Sequence, residues 1–149
     1  MATERPNKNP YSAFNFTVEI NGEQIAAFQE VSGLDSENTP IEYREGADAL
    51  NSVRKLPGLA TFTPIVLTRG LLGDLTLFEW RKEVRDGSTA FPPVRDVVIQ
   101  LQNEKHENVY KWKLTNAWPS KLSGPKMNAK GSEIAIETLE ISYDSLDNE

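Results

Sequence analysis

"GSEIAIETLEISYD" (Gly131–Asp144) alternates as a half-buried strand does and then changes phase. Ile134 and Ile136 share one face, with Glu133, Ala135 and Glu137 on the other. From Leu139 onward the apolar residues Leu139, Ile141 and Tyr143 fall in the opposite phase. Side chains alternate with a period of two along a strand, so a plain strand would turn one of these groups away from the core. Two geometries satisfy the pattern. A straight strand would bury one face in its own core and the other against a neighbour. A bulge at Glu137-Thr138 would instead point Ile134, Ile136, Leu139, Ile141 and Tyr143 into one core and bend the strand from one sheet to another. The bulge is the reading adopted, because it keeps five apolar side chains dry without a partner. Either way the segment belongs to a sheet that must be covered.

The chain before it supplies the rest of such a sheet. "FNFTVEI" puts Phe14, Phe16, Val18 and Ile20 on one face, and Asn21-Gly22 follows as a hairpin turn. The return strand runs through Gln24–Gly33, "LDSENTP" reads as a polar loop, and Ile41–Glu45 as a short strand. Gly46–Gly58, "GADALNSVRKLPG", has neither period and is long for a loop, a length that points to partner contact. "ATFTPIVLTRG" reads as a strand interrupted at Pro64. Val97, Ile99 and Leu101 face inward on the next strand, followed by Tyr110, Trp112 and Leu114, while Lys111 and Lys113 take the other face. "PSKLSGPKMNAKG" is a second long connection.

One helix is marked, over about residues 77–86. Thr76 with Glu79 fits a capping box and Leu75 against Trp80 a hydrophobic staple. Leu77, Trp80 and Val84 form its apolar face, and Gly87 ends it. The predicted fold is mainly β: an antiparallel two-sheet sandwich or barrel-like domain with one flanking α-helix. All 149 residues make one domain, with residues 1–10 as a polar arm.

Composition narrows the function by exclusion. No run approaches the ~20 apolar residues of a membrane helix, so no membrane anchor is expected. "MATERPNKNP" lacks the basic-then-apolar pattern of a secretory signal, which predicts completion in the cytosol. The absence of cysteine excludes disulfides and thiolate chemistry. A net charge of −6 argues against an electrostatic nucleic-acid binder.

A search for catalysis finds little. His106, the only histidine, sits in "NEKHEN" between two alternating strands, which reads as an exposed turn. No glycine-rich phosphate loop and no histidine metal cluster is present, so neither cofactor nor metal is expected. Glu133 and Glu137 could form a carboxylate pair on one face, but nothing tunes the two in opposite directions. Lys111 and Lys113 read as cross-strand partners for such carboxylates. No enzyme is predicted.

Seven blocks carry a resemblance: "NPYSAFNFTVEINGEQIAAFQEVSGL", "IEYREG", "VRKLPG", "IVLTRG", "FEWRKEV", "LTNAWPSKLSGP" and "NAKGSEIAIETLEISYD". In this order, from Asn9 to Asp144, the chain resembles the tail tube proteins of contractile phages and extracellular contractile injection systems, and more distantly the type VI secretion tube. The resemblance implies an inner-tube subunit forming six-fold rings that close into a larger barrel and stack into a hollow tube. Its implied partners are itself, a surrounding sheath, baseplate, tape-measure and terminator proteins, and a protein or DNA cargo in the lumen. Assembly would occur in the cytosol, into a tail or tail-like particle that leaves the cell. Arg44, Glu45, Gly46, Arg54, Lys55 and Gly58 match the family's blocks as contact candidates between subunits or rings. Lys121 and Lys126 join them from the length and composition of the second connection. Lys111, Lys113, Glu133 and Glu137 are the lumen candidates. Three alternatives stand beside this reading: a tube initiator or baseplate adaptor of the same family, a small ligand-binding barrel, and a carboxylate hydrolase.

Overall fold

Asn21 and Gly22 both adopt positive φ, 54° and 81°, as a two-residue hairpin turn demands. They join β1 (Phe16–Ile20) to β2 (Glu23–Ile25). The computed structural model describes residues 10–25, 28–47, 49, 52–71, 73–87, 94–131 and 134–148. Nine residues of the predicted arm, and Glu133, lie outside them. The strands that follow are β3 (Phe28–Ser32), β4 (Ser36–Tyr43), β5 (Arg54–Phe62) and β6 (Ile65–Gly70). After helix α1 (Thr76–Arg85) come β7 (Arg95–Gln102), β8 (Asn108–Ser123), β9 (Ile136–Ser142) and β10 (Ser145–Asn148).

All described pairings are antiparallel, and the main sheet runs β2-β1-β7-β8-β9-β6-β3 with β10 beside β8. It has two wings that share β8. The first half of this strand pairs with β7 and β10, and residues 118–123 pair with β9. The wings enclose a core of Val18, Ile20, Ile25, Ile65, Leu67, Val97, Ile99, Leu114, Ala117, Leu139 and Ile141. Leu77 and Trp80 of α1 complete it. The sheet does not close on itself, so β2 and β3 are left as its two ends.

The predicted bulge in β9 is absent, and this part of the sequence reading is corrected. β9 pairs with β6 in unbroken register from Gly70↔Ile136 to Ile65↔Ile141. Glu137, Leu139 and Ile141 point inward together, while Ile134 and Ile136 lie on the opposite, exposed face. The phase of the strand does not switch; a charged residue occupies the first buried position. Two of the sheet's irregularities sit in the middle of β8 instead. Between Val97↔Leu114 and Arg95↔Ala117 that strand holds one more residue than β7, and Asn116 takes a φ of 53°. Between Pro119↔Ile141 and Lys121↔Glu140 it holds one more than β9, namely Ser120. Each bulge reverses the inward phase, giving Leu114, Ala117, Pro119 and Leu122, and each adds bend and twist. β8 is the strand that turns the corner.

Other local readings also shift. The polar stretch read as a loop is the first part of β4, and Arg54–Phe62 is strand, so residues 54–58 of the predicted first loop belong to β5. The sequence from Gln24 to Gly33 divides between β2, on β1, and β3, on β6. Ser145–Asn148 forms an additional strand that periodicity did not reveal. At α1 neither the capping box nor the staple forms. Leu75 occupies the cap position without a side-chain bond and is exposed. Asp74 takes over, its Oδ1 accepting from the Thr76 amide at 3.0 Å and the Thr76 hydroxyl at 2.6 Å.

Candidate assembly interface

β4 and β5 form a two-stranded ribbon outside the main sheet, and every residue of β4 is exposed. It follows from the sequence in an unusual way. Asn38↔Ala60 and Pro40↔Pro57 are separated by two residues on β4 and three on β5, so β5 carries a bulge. Gly58 sits in it, where a Cβ would lie 2.2 Å from the Thr39 carbonyl oxygen. The Asn38 amide donates to the Gly58 carbonyl at 2.9 Å, and the Thr61 hydroxyl to the Glu37 carbonyl at 3.3 Å. Gly58 therefore has a role inside the ribbon: any larger residue would push the strands apart.

The contact candidates divide by position. Arg44, Glu45 and Gly46 lie at the ribbon's far end, where the Tyr43 hydroxyl donates to Glu45 Oε1 at 3.0 Å. Arg54 and Lys55 stand on β5 opposite Tyr43 and Glu42, on strand positions where a loop was expected. Lys121 likewise belongs to a strand, opposite Glu140 on the outward face of the second wing. Lys126 is exposed in the segment after β8. Exposed apolar side chains accompany them: Ile41, Leu56 and Leu59 on the ribbon, and Leu71 with Ile134 and Ile136, the last two read from sequence as core, at one end of β6 and β9. The alternation Ile41-Tyr43 was the available signal, obscured by the Pro57-Gly58 break.

Of the lumen candidates, Lys111 and Lys113 lie together on the outward face of the first wing. Cross-strand rows there read Thr17–Gln100–Lys111 and Glu19–Val98–Lys113–Asp147, so the second row sets one cation between two carboxylates and the first carries no carboxylate. Glu137 is not on that surface. It is 8% exposed, and its Oε1 accepts from Nε of Arg69, itself 1% exposed. A carboxylate on a buried face is stable only when paired, and Arg69 supplies the pair from the adjacent strand. Arg69 also donates to the Asp74 carbonyl at 3.2 Å and lies over the Phe28 ring. The Thr76 hydroxyl and amide, and more weakly Arg69, hold the Asp74 carboxyl below its ordinary range.

The described residues assemble no catalytic group. Glu137 is committed to Arg69, and His106 sits in the exposed turn between β7 and β8, its amide donating to the Asn103 carbonyl. No cluster able to hold a metal ion occurs among the described residues, and no helix there is long and apolar enough to cross a membrane. A recess of about 230 Å³ opens between Phe16, Val31, Leu34, Leu101 and Trp112, below the roughly 300–1,000 Å³ of typical ligand pockets.

The described residues thus form an antiparallel β fold with unclosed sheet ends and a two-stranded ribbon outside the main sheet. The chain belongs to the T4-like virus tail tube protein gp19 family, which matches residues 12–147. A chain in the sheath–tube complex of an extracellular contractile injection system, PVC, in its extended state is 30% identical. The TM-score is 0.82, covering 94% of this chain and 91% of that one. A chain of the anti-feeding prophage tube-terminating cap is 29% identical with a TM-score of 0.82, covering 95% and 91%. Hcp1 from Flavobacterium johnsoniae is 15% identical with a TM-score of 0.61, covering 91% and 94%, and shares the fold alone. No curated protein matches. This is a tail tube-like structural protein of contractile injection systems and phage tail-like particles.

Proposed function

We propose that this chain is the repeating subunit of an inner tube: six copies close a ring, and rings stack around a continuous lumen. The observation that carries this reading is the unclosed sheet. Unpaired strand ends are a liability in a lone subunit, and joining wings edge to edge around a ring removes it by forming one larger barrel. Similarity over nearly the whole chain to components of a sheath–tube complex and a six-fold symmetrised baseplate supports a sheath around the tube and a baseplate at its end. Terminator and tape-measure proteins would meet it elsewhere, and the particle would leave the cell after cytosolic assembly.

The lumen lining in this reading is the outward face of the first wing, with Lys111 and Lys113 set among Glu19, Gln100 and Asp147. Its mixed charge suits passage of cargo, because a continuous basic lining would hold DNA by its phosphates. The ribbon residues Arg44, Glu45, Gly46, Arg54 and Lys55, with Lys121 and Lys126, serve contacts between copies. A second reading, a terminator or baseplate adaptor of the same family, is favoured by similarity to the cap chain, nearly equal to that for the sheath–tube chain.

Electron microscopy of the purified protein over a range of concentration tests the proposal. Open-ended tubes that lengthen with concentration are expected. Single rings that never stack would favour the terminator, and a strictly monomeric folded chain would overturn the tube.

A further inference from the structure

Five observations on the β4–β5 ribbon bear on how it meets a partner. First, it is a two-stranded sheet standing apart, and such ribbons are marginal in water on their own. Second, its two faces differ. Ile41↔Leu56 and Tyr43↔Arg54 share one face, while Pro40↔Pro57 and Glu42↔Lys55 share the other. Third, Ile41, Tyr43 and Leu56 are each about half exposed, so the first face is an uncovered apolar ridge ending in a tyrosine and an arginine. Fourth, two prolines stand directly opposite each other. Proline is tolerated in a strand where its nitrogen turns away from the paired strand, so both outer edges lack an N–H donor at the same level. Fifth, the bulge at Gly58 twists the ribbon one step further toward its root.

We infer that the ribbon joins a second copy of this chain by laying its Ile41–Tyr43–Leu56–Arg54 face against it, and not by adding a strand to its edge. This rests on the tube reading above. Edge addition needs an unbroken row of donors, and the facing prolines interrupt the row on both sides. Face contact needs an apolar centre flanked by aromatic and arginine anchors, which that face provides. The occupant is a second copy because the same chain carries a receiving surface. The recess between Phe16, Val31, Leu34, Leu101 and Trp112 is mostly apolar, with Gln29 and Glu30 also lining it, and a projecting ridge with a recess on one chain is the pairing that head-to-tail ring and filament contacts require. Lys55, on the other face opposite Glu42, is thereby separated from Arg54.

Two sets of variants of the full chain test this by light scattering and electron microscopy, with circular dichroism reporting the fold. In the first set, Ile41→Thr with Leu56→Thr keeps β-forming residues while removing the ridge, and Arg54→Glu reverses its charged anchor. Both should remain folded and need about tenfold or more higher concentration to assemble. In the second set, Glu42→Lys alters the opposite face, and Pro57→Thr restores an edge donor. These should assemble as the unaltered chain does. Equal losses in both sets, or a loss confined to the second, would overturn face docking. Assembly of the first set at unaltered concentrations would do the same while leaving the tube reading intact. An unaltered chain that is folded yet monomeric at every concentration would overturn both.

Discussion

Arg69 and Glu137 face each other across β6 and β9 and form a buried ion pair between residues 68 positions apart. Arg69 stands between Glu137 on one side and Phe28 of β3 on the other, and reaches Asp74 at the start of α1. One guanidinium thus ties two strand pairings to the helix. Removing one partner of such a pair strands the other charge, whereas replacing both by apolar residues is often tolerated. Glu137→Ala should therefore destabilise the fold by about 3–5 kcal/mol. Arg69→Met combined with Glu137→Leu should recover most of that loss, measured by urea unfolding of all three proteins.

Ile136 and Ile141 lie on the same strand and should respond oppositely to a charge. Ile141 is 0% exposed and Ile136 is 39% exposed. Ile141→Asp buries an unpaired carboxylate and should prevent folding, by circular dichroism and thermal melting. Ile136→Asp should fold with a near-normal melting temperature and weaken assembly instead, because its side chain faces outward beside Ile134. Loss of the folded signal in Ile136→Asp would return that residue to the core.

Asp74 gives a pH dependence with a definite sign. Its folded value lies below the ordinary 3.8 because the Thr76 hydroxyl and amide, then Arg69, favour the carboxylate. A depressed carboxyl stabilises the fold above its unfolded value and loses that contribution as pH falls through the folded one. Melting temperatures taken from neutral pH downward should fall more below about pH 4 in the unaltered chain than in Asp74→Asn. Parallel acid limbs for the two would remove Asp74 from the helix start.

The corner in β8 depends on Asn116, whose left-handed backbone and bond to Asp144 Oδ2 at 2.9 Å hold the first bulge. A β-branched residue fits neither. Asn116→Val should cost about 1–3 kcal/mol, and Asn116→Gly less, since glycine keeps the conformation and loses only the side-chain bond. Chemical denaturation of the pair separates backbone strain from the hydrogen bond.

What could be read from residues alone was what neighbouring residues decide. Alternation in "FNFTVEI", "DVVIQLQ" and "VYKWKL", the Asn21-Gly22 turn, and the helix with Leu77 and Trp80 inward are all local patterns. Together with the ordered blocks from Asn9 to Asp144 they led to a β-rich tube-type subunit, and the fold and family agree. The phase of "EIAIETLEISYD" was not local. Glu137 occupies an inward position because Arg69, from β6, neutralises it there, and no reading of β9 in isolation includes that partner. The bend was assigned to the wrong strand for the same reason: a bulge exists only as a mismatch between two paired strands, and the counts that reveal it belong to β7, β8 and β9 together. The pairing of the ribbon stayed hidden, although Ile41–Glu45 was read as a strand. Pro40, Pro57 and Gly58 erase strand propensity one residue at a time, while the opposition of the two prolines and the bulge at Gly58 make them compatible with it. Sequence sets which faces are oily; pairing across the sheet decides which of them a single chain can cover.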